Sequence, residues 1–214
     1  MTARRYPYHR APASVKRCAG LRAPVVHFSP APRPVVIKAL ELLDLRPGEL
    51  LFDLGCGDGR ILIEAARRYR VRAVGVEIRR WLASLARRNA LKAGVGDLVQ
   101  IIRGDFFRIS LTRADAIVLY LSTKVNEALK PKLERELKPG ARVVSIFFPI
   151  PGWSHEKEAV VRTPIREYRI RLYRAGALGL NISRGAERAL KVKARRRRAG
   201  SGELGGRGAG IHPR

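Results

Sequence analysis

The stretch LFDLGCGDGRI, from Leu51 to Ile61, joins an apolar run to three alternating glycines and then to a helical pattern. The apolar run predicts a buried strand, and residues 60–69 have the periodicity of an amphipathic helix. Glycines let the backbone turn sharply and let a ligand approach without meeting a Cβ atom, and the helix N-terminus adds free amide donors. A strand, a glycine turn and a helix N-terminus together predict a site for a nucleotide-type ligand.

The spacing of the glycines separates two families of ligand. Dinucleotide sites follow the pattern G-x-G-x-x-G, whereas the glycines here alternate and an aspartate comes two residues before the first. The next apolar strand ends in an acid, and a carboxylate at that place can accept hydrogen bonds from both hydroxyls of a ribose. The predicted ligand contacts in these two segments are Asp53, Gly55, Cys56, Gly57, Gly59, Glu77 and Ile78.

This D-x-G-x-G-x-G pattern, with Glu77 at the end of the following strand, resembles the class I S-adenosylmethionine-dependent methyltransferases. The resemblance implies S-adenosyl-L-methionine as cofactor, with its ribose on Glu77 and its ammonium group attracted by acidic residues of the loop. An ordinary strand-to-helix turn is the alternative explanation of the glycines. The presence of both Asp53 and Glu77 in a strand–helix–strand context favours the cofactor site.

Strands alternate with helices along the chain and end in a pair of alternating segments. This order predicts an α/β fold with a doubly wound, mostly parallel seven-stranded sheet, Rossmann-like, with a C-terminal antiparallel hairpin. In the third predicted helix, Trp81 is expected to face the core. The predicted strands are residues 50–54, 71–77, 98–102, 114–121, 142–148, 158–161 and 165–173, and the helices after the second and fourth strands are residues 81–93 and 124–137.

Composition divides the 214 residues into three parts. Residues 1–24 hold six basic residues and no acid, and residues 175–214 end in arginine- and glycine-rich sequence. Both segments are predicted to be disordered. Residues 25–174 form the predicted methyltransferase domain, with 28 basic and 16 acidic residues. A net charge of +26 favours acidic partners, so non-specific binding of nucleic acid through the basic tails is expected.

Cysteine content and hydropathy exclude several classes. The two cysteines, Cys18 and Cys56, form neither a disulfide framework nor a zinc-binding spacing, so no metal is predicted. No apolar run is long enough to span a membrane, and the N-terminal segment lacks the apolar stretch of a signal peptide. We therefore expect a cytoplasmic protein without a membrane partner, and a monomer.

Two further segments fall at the same predicted edge of the sheet. Asp105 and Phe106 close the third strand, where Asp105 can accept the exocyclic amine of adenine and Phe106 can flank the ring. Tyr120, Ser122 and Asn126 follow the fourth strand and are candidates for positioning the methyl acceptor. The alternative makes Ser122 a helix N-cap and Asn126 a solvated residue of the first turn. An Asn/Asp-Pro-Pro-Tyr turn and a Pro-Cys nucleophile are both absent, which argues against amide-type and cytosine C5 methylation.

The segment VNEALKPKLERELKPGARVVS, residues 125–145, narrows the resemblance. With the glycine turn, Asp105-Phe-Phe and Gly152-Trp153, it is similar to the small archaeal protein-lysine methyltransferases. These are related to the disruptor-of-telomeric-silencing histone lysine methyltransferase family and to a mitochondrial lysine methyltransferase family. The similarity runs from residue 26 to residue 173, and it implies a protein-lysine N-methyltransferase of broad specificity whose substrates are lysines of proteins, the enzyme itself included.

Before the first helix, the family's Tyr-x-Pro-Thr-Pro segment contacts the cofactor, and the resemblance places Phe28, Ser29 and Pro30 there. Phe28 lacks the phenol hydroxyl and Ala31 stands where a threonine is expected, so Ser29 supplies the hydroxyl that remains. The histone enzymes' Asn-Asn after the fourth strand is replaced by Ser122-Thr123, so histone specificity does not carry over.

The expected reaction needs positioning more than covalent help, and an apolar channel is expected to lower the pKa of the acceptor lysine. The candidate channel residues are Phe106, Phe147, Phe148 and Trp153. Two alternatives remain: an RNA methyltransferase, favoured by the basic charge, and a non-catalytic basic protein that binds nucleic acid or ribosomes on a methyltransferase fold.

Overall fold

A computed structural model describes residues 28–176. Four helices and seven strands, with one short 3-10 turn at Phe106–Arg108, make up this part of the chain. In chain order they are α1 (Arg33–Leu43), β1 (Leu50–Leu54), α2 (Arg60–Tyr69), β2 (Arg72–Glu77), α3 (Arg80–Lys92), β3 (Val99–Arg103), β4 (Ala116–Leu119), α4 (Thr123–Glu136), β5 (Arg142–Ile146), β6 (Lys157–Arg162) and β7 (Glu167–Arg174).

The seven strands form one sheet in the order β3-β2-β1-β4-β5-β7-β6. The first five in this order are parallel, whereas β7 runs antiparallel to both β5 and β6. Strand order reverses between β1 and β4, and ligands of open α/β sheets bind at such a switch point, beyond the carboxyl ends of the strands. The predicted fold, including the C-terminal antiparallel hairpin, is confirmed.

Burial explains the strand order. Every residue of β1 and β4 is buried, as central parallel strands require, while β6 has only exposed and half-buried positions and forms an edge. Helix α1 packs on β5, β6 and β7, and α3 packs on β2 and β3. The apolar face of α1 consists of Val35, Val36, Ala39, Leu40 and Leu43.

Three details differ from the sequence-based expectation. Trp81 is 59% exposed rather than inward, because it lies in the first turn of α3 beyond the edge of the sheet, and Ala83 takes the buried position instead. Strand β5 ends at Ile146, because Phe147 turns the chain with a φ of 71°. Ala175 belongs to the fold, since it is buried and exchanges hydrogen bonds with Ala141 and Gly140.

The predictions for residues 1–24 and 177–214, Cys18 among them, lie outside the described residues. Among residues 28–176, no helix is long and apolar enough to cross a bilayer.

Candidate active site

The glycine turn after β1 is bonded to the end of β2. The amides of Gly55 and Cys56 donate to the carbonyl of Val76 at 2.8 and 3.1 Å, and the amide of Gly57 donates to the carboxylate of Glu77 at 3.1 Å. The backbone at Gly55 and Gly57 has positive φ, a conformation that glycine adopts without steric cost. The turn and the acid at the end of β2 therefore form one structural unit.

Two of the glycines are required by close packing as well as by conformation. A Cβ atom on Gly57 would lie 2.5 Å from the ring of Phe28, so the aromatic side chain before α1 lies directly over the turn. A Cβ atom on Gly59 would lie 3.1 Å from that of Ala86. Gly59 therefore allows the start of α2 to approach α3, and it does not line the pocket.

A pocket opens above this turn at the carboxyl edge of the sheet. Its walls come from the segment before α1, the glycine turn, the end of β2, the end of β3 and the end of β4. Every cofactor contact predicted from the sequence except Gly59 lines it: Phe28, Ser29, Pro30, Asp53, Gly55, Cys56, Gly57, Glu77, Ile78, Asp105 and Phe106. The structure thus brings five separate segments together at one site.

Asp53 lies at the floor of the pocket and is 2% exposed. Burial raises the pKa of its carboxyl to about 8, and the nearby charges of Glu77 and Asp58 raise it further in the same direction. Its Oδ2 atom is buried without a hydrogen-bond partner in the protein. An unpaired buried oxygen is costly, and a cationic donor such as an ammonium group would satisfy it.

Glu77 is buried to the same extent and already accepts several hydrogen bonds. Besides the amide of Gly57, its carboxylate accepts from the amide of Arg79 at 2.9 Å and from the guanidinium of Arg79 at 3.2 Å. A carboxylate offers about four acceptor sites. One ribose hydroxyl therefore fits directly, and a second requires the Arg79 side chain to move aside.

At the end of β3, Asp105 forms the N-cap of the 3-10 turn, and its Oδ1 accepts the amide of Phe107 at 2.9 Å. Its Oδ2 is 3.9 Å from the guanidinium of Arg108, at the pocket edge. Phe106 and the 61%-exposed Ile78 both line the same pocket. Two apolar side chains beside a carboxylate acceptor suit a purine ring with an exocyclic amine.

Sequence reasoning missed one anchoring pair. Arg60 binds the carboxylate of Asp58 at 2.6 Å and also donates to the carbonyl of Ala31 at 3.0 Å. This arginine ties the segment before α1 to the glycine turn through a backbone carbonyl, so Ala31 needs no side-chain hydroxyl for that contact. The Asp-Gly-Arg triplet at the end of the turn was the available signal, since an acid and a base two residues apart flank the last glycine.

Cys56 lies beneath the turn rather than at a reactive position. Its thiol is buried, and burial raises its pKa well above the ordinary range, so it stays protonated. Among residues 28–176, no cluster of histidine, cysteine or acidic residues could hold a metal ion.

The three acceptor candidates after β4 have different positions. Tyr120 lines the pocket, and its hydroxyl is hydrogen-bonded to Ser29. Ser122 is the N-cap of α4 and accepts the amide of Val125 at 3.3 Å, as the alternative interpretation expected. Asn126 is fully buried, so that interpretation, which made it a solvated residue, is wrong.

Asn126 contacts the turn after β5 instead of the pocket. Its amide nitrogen donates to the carbonyls of Phe148 and Pro149, both at 3.1 Å, and to the hydroxyl of Ser145 at 3.2 Å. This turn begins at Phe147. Asn126 can therefore position residues beside the pocket, but it does not itself line the pocket.

The expected apolar channel is formed in part. Phe106 lines the pocket, and Phe147 packs near Tyr168, which follows at the next strand of the sheet. Trp153 does not contribute to the pocket lining, because it packs on Tyr173 and donates to Glu134 in the last turns of α4. Its inclusion in the channel was wrong: eight residues separate Glu134 from Asn126, which places Trp153 towards the opposite end of that helix.

Comparison with known proteins agrees with this geometry. Residues 53–157 match the model of the ANTKMT methyltransferase domain. The chain is 42% identical over 154 residues to a protein-lysine N-methyltransferase of Saccharolobus islandicus (strain REY15A), covering 72% of this chain and 96% of that protein. It is 40% identical over 133 residues to the adenine nucleotide translocase lysine N-methyltransferase of Mus musculus, covering 62% of this chain and 57% of that protein.

A solved structure gives the same fold. The RNA methyltransferase from Salinibacter ruber in complex with S-adenosyl-L-homocysteine is 39% identical, with a TM-score of 0.66 over 70% of this chain and 95% of that one. Its bound product form of the cofactor agrees with a pocket that offers an unpaired carboxylate oxygen, a buried glutamate and an adenine-sized apolar edge. The chain belongs to the class I S-adenosylmethionine-dependent methyltransferases, in the family of protein-lysine methyltransferases that contains the ANTKMT domain.

Proposed function

We propose that the methyl acceptors of this enzyme are lysine side chains of proteins, and that it methylates several proteins rather than a single site. The observation that carries the proposal is the similarity to the Saccharolobus islandicus protein-lysine N-methyltransferase, which extends over nearly the whole of that protein. The names of the mitochondrial relatives, which act on lysines of membrane proteins of different kinds, also support a lysine acceptor.

The residues of the pocket fit the three parts of the cofactor. Asp53 would accept the ammonium group with its unpaired Oδ2, Glu77 would accept the ribose, and Asp105 with Phe106 would hold the adenine. Bound S-adenosylmethionine supplies a methyl group on a sulfonium, which is a reactive electrophile with a neutral leaving group. The protein then has to hold the acceptor nitrogen in line with that methyl group.

The acceptor amine must be neutral when it attacks. Its lone pair forms the new nitrogen–carbon bond while the carbon–sulfur bond breaks, the electron pair stays on sulfur as a thioether, and the nitrogen loses its extra proton to water. A lysine has an ordinary pKa near 10.4, and burial of the amine beside Tyr120 and Phe106 lowers that pKa because the charged form is desolvated. The rate should therefore rise with pH above 7.

Charge favours a particular class of lysine. Residues 25–174 hold twelve more basic than acidic residues, so a basic peptide is repelled and a lysine flanked by acidic residues is attracted. The enzyme's own lysines are candidates to differing degrees. Lys124 is exposed, whereas Lys132 is 7% exposed and paired with Glu136 at 2.8 Å, so self-methylation should favour Lys124.

The test is mass spectrometry of a protein extract incubated with the enzyme and S-adenosylmethionine. We expect methyl-lysine on several proteins, and none in a parallel incubation with the Glu77→Ala variant, which lacks a ribose acceptor. Methyl groups found only on arginine or glutamine residues would contradict the proposal.

A second candidate, RNA methylation, is favoured by the name of the Salinibacter ruber structure, which is 39% identical to this chain. The net charge of +26 also suits nucleic acid. Incubation with total RNA and labelled cofactor distinguishes the two candidates. Label in RNA but not in protein would support this function, whereas RNA binding that weakens steeply with salt and leaves no label would indicate electrostatic attraction alone.

A further inference from the structure

The β6–β7 hairpin contains five arginines, and four of them pair with glutamates of the hairpin or of the residue before it. Arg166, at the tip, differs: within residues 28–176 no carboxylate pairs with its guanidinium. The four pairs are Arg162 with Glu167 (3.4 Å), Arg169 with Glu158 (3.1 Å), Arg171 with Glu158 (2.7 Å) and Arg174 with Glu156 (2.8 Å).

The guanidinium of Arg166 lies on aromatic rings instead. Its central carbon is 5.0 Å from the ring centre of Phe147 and 4.8 Å from that of Tyr168. Its Nη2 donates to the hydroxyl of Tyr120 at 3.0 Å. The ring of Tyr168 is 6.0 Å from that of Phe147 and 6.4 Å from that of Tyr120. We call these three residues the aromatic cluster; it holds a cation by the attraction of ring faces for positive charge.

The aromatic cluster adjoins the cofactor pocket. Its members come from three neighbouring strands, since Tyr120 follows β4, Phe147 follows β5 and Tyr168 lies at the start of β7. Tyr120 belongs both to the cluster and to the pocket wall, where its hydroxyl bonds with Ser29. A cation on the cluster is thus at the side of the pocket where an acceptor amine has to enter.

Both partners of this contact are held in place by the backbone. Phe147 keeps a φ of 71°, which costs energy in a residue with a Cβ atom, and its amide donates to the carbonyl of Arg169 at 2.7 Å. At the hairpin tip, the hydroxyl of Thr163 accepts the amide of Arg166 at 3.2 Å and donates to its carbonyl at 2.8 Å. Beside it, Ile165 is 88% exposed and offers an apolar contact to a docking protein.

We propose that Arg166 is a resident competitor for the ammonium group of the substrate lysine, and that an acidic residue beside that lysine draws the guanidinium off the aromatic cluster. The inference rests on the proposed lysine acceptor. The ring faces that hold a guanidinium also attract an ammonium or methylammonium group, so both cations cannot occupy them together. A substrate carboxylate offers Arg166 the charged partner that the hairpin does not supply, which makes acid-flanked lysines the preferred substrates.

The experiment compares two peptides of equal length, in which the lysine is flanked by glutamates in one and by glutamines in the other. With the full-length wild-type enzyme, kcat/KM should favour the glutamate-flanked peptide. In Arg166→Ala, KM for the glutamine-flanked peptide should fall by about threefold to tenfold because the competing cation is gone, and the preference should shrink towards unity. Arg166→Lys should keep most of the preference.

Arg162→Ala is the matched control, because it removes the same charge from the same hairpin at a side chain that is 86% exposed and faces Glu167. This variant should keep the wild-type ratio. An equal loss of preference in both variants would mean that overall charge sets the choice, and would overturn the inference. A rise of KM for both peptides in Arg166→Ala would also overturn it, because Arg166 would then be a direct substrate contact.

A binding measurement separates this inference from the proposed function. With S-adenosylhomocysteine bound, n-butylammonium should bind about threefold more tightly to Arg166→Ala than to the wild type or to Arg162→Ala, as monitored by nuclear magnetic resonance. Tighter binding without methylation of either peptide would support the competitor and contradict the lysine acceptor. Equal binding in all three proteins would refute the competitor even if lysine is methylated.

Discussion

The amide of Gly57 donates to the carboxylate of Glu77 across 3.1 Å, and this single hydrogen bond joins the glycine turn to the end of the neighbouring strand. Glu77 therefore has two roles, because the same carboxylate that faces the ribose also sets the position of the turn. Arg79 occupies other acceptor positions of that carboxylate. The geometry of the cofactor site thus depends on one buried acid.

Glu77→Ala should weaken S-adenosylmethionine binding at least about tenfold, because hydrogen bonds to a charged group are each worth roughly 1.5–3 kcal/mol. Isothermal titration calorimetry measures the change. Glu41→Ala, which removes an exposed glutamate of α1 paired with Lys38, is the control and should bind like the wild type. An unchanged affinity in Glu77→Ala would mean that the ribose lies elsewhere.

Gly57→Ala should weaken cofactor binding well beyond the effect of Gly48→Ala. Both glycines have positive φ, at 56° and 84°, so both variants have a similar backbone cost of about 1–2 kcal/mol. Only at Gly57 does the new methyl group meet a neighbour, the ring of Phe28 at 2.5 Å, whereas nothing lies within 4 Å at Gly48. Calorimetry on the two variants isolates the contact of Phe28, and equal affinities would show that the ring moves freely.

The affinity for S-adenosylmethionine should rise between pH 6 and pH 8 and release a proton on binding. Asp53 has a pKa of about 8 in the free protein, so it is mostly protonated at neutral pH. The cofactor ammonium favours the ionised carboxylate and lowers that pKa. Calorimetry in buffers of different ionisation enthalpy counts the proton. Asp53→Asn should bind more weakly and lose this proton release, so an identical pH profile in the variant would contradict the assignment.

Asp53 should also make the free protein less stable as pH rises. Its pKa is raised on folding, from 3.8 to about 8, so its contribution to stability is complete below pH 3.8 and is lost as pH rises through 8. Asp53→Asn carries no charge and should melt several degrees above the wild type at pH 9, given that ~1 kcal/mol shifts Tm by about 2–4 °C in a chain of this length. Thermal unfolding at pH 5 and pH 9 measures the difference, which should be smaller at pH 5.

Asn126→Ala should destabilise the fold by about 2–4 kcal/mol, because the carbonyls of Phe148 and Pro149 lose a buried donor. Ser122→Ala, which removes only the N-cap of the same helix, should cost about 1 kcal/mol. Urea unfolding gives both values. In Asn126→Ala, KM for a lysine peptide should rise as well, since the turn that carries Phe147 is loosened. A cost no greater than that of the cap variant would show that the turn is held by other contacts.

The segment that identified the family from sequence owes its pattern to packing. In the Ser-Thr-x-Val-Asn-Glu-x-Leu stretch, Ser122 caps α4, Asn126 holds the turn after β5, and Val125 and Leu129 are buried. The stretch predicted the right family, but the role of acceptor contact belongs to the pocket-lining Tyr120 instead. Family motifs record whichever contacts a fold needs, and sequence spacing does not separate a structural contact from a functional one.

The sequence by itself determined the sheet, its helices and most of the cofactor pocket. These features follow from local rules, since apolar runs form buried strands and the residues that follow parallel strands meet at one edge. Gly57, Glu77 and Asp105 could be placed together for that reason.

Only the tertiary structure decided which side chains were outside these rules. Trp81 is exposed because α3 begins at the edge of the sheet, and Trp153 packs on Tyr173 because of where the chain runs after β5. The stacking of Arg166 on Phe147 and Tyr168 joins residues from a hairpin tip and two strands. Such contacts depend on how distant segments pack in three dimensions, and no periodicity or spacing along the chain encodes them.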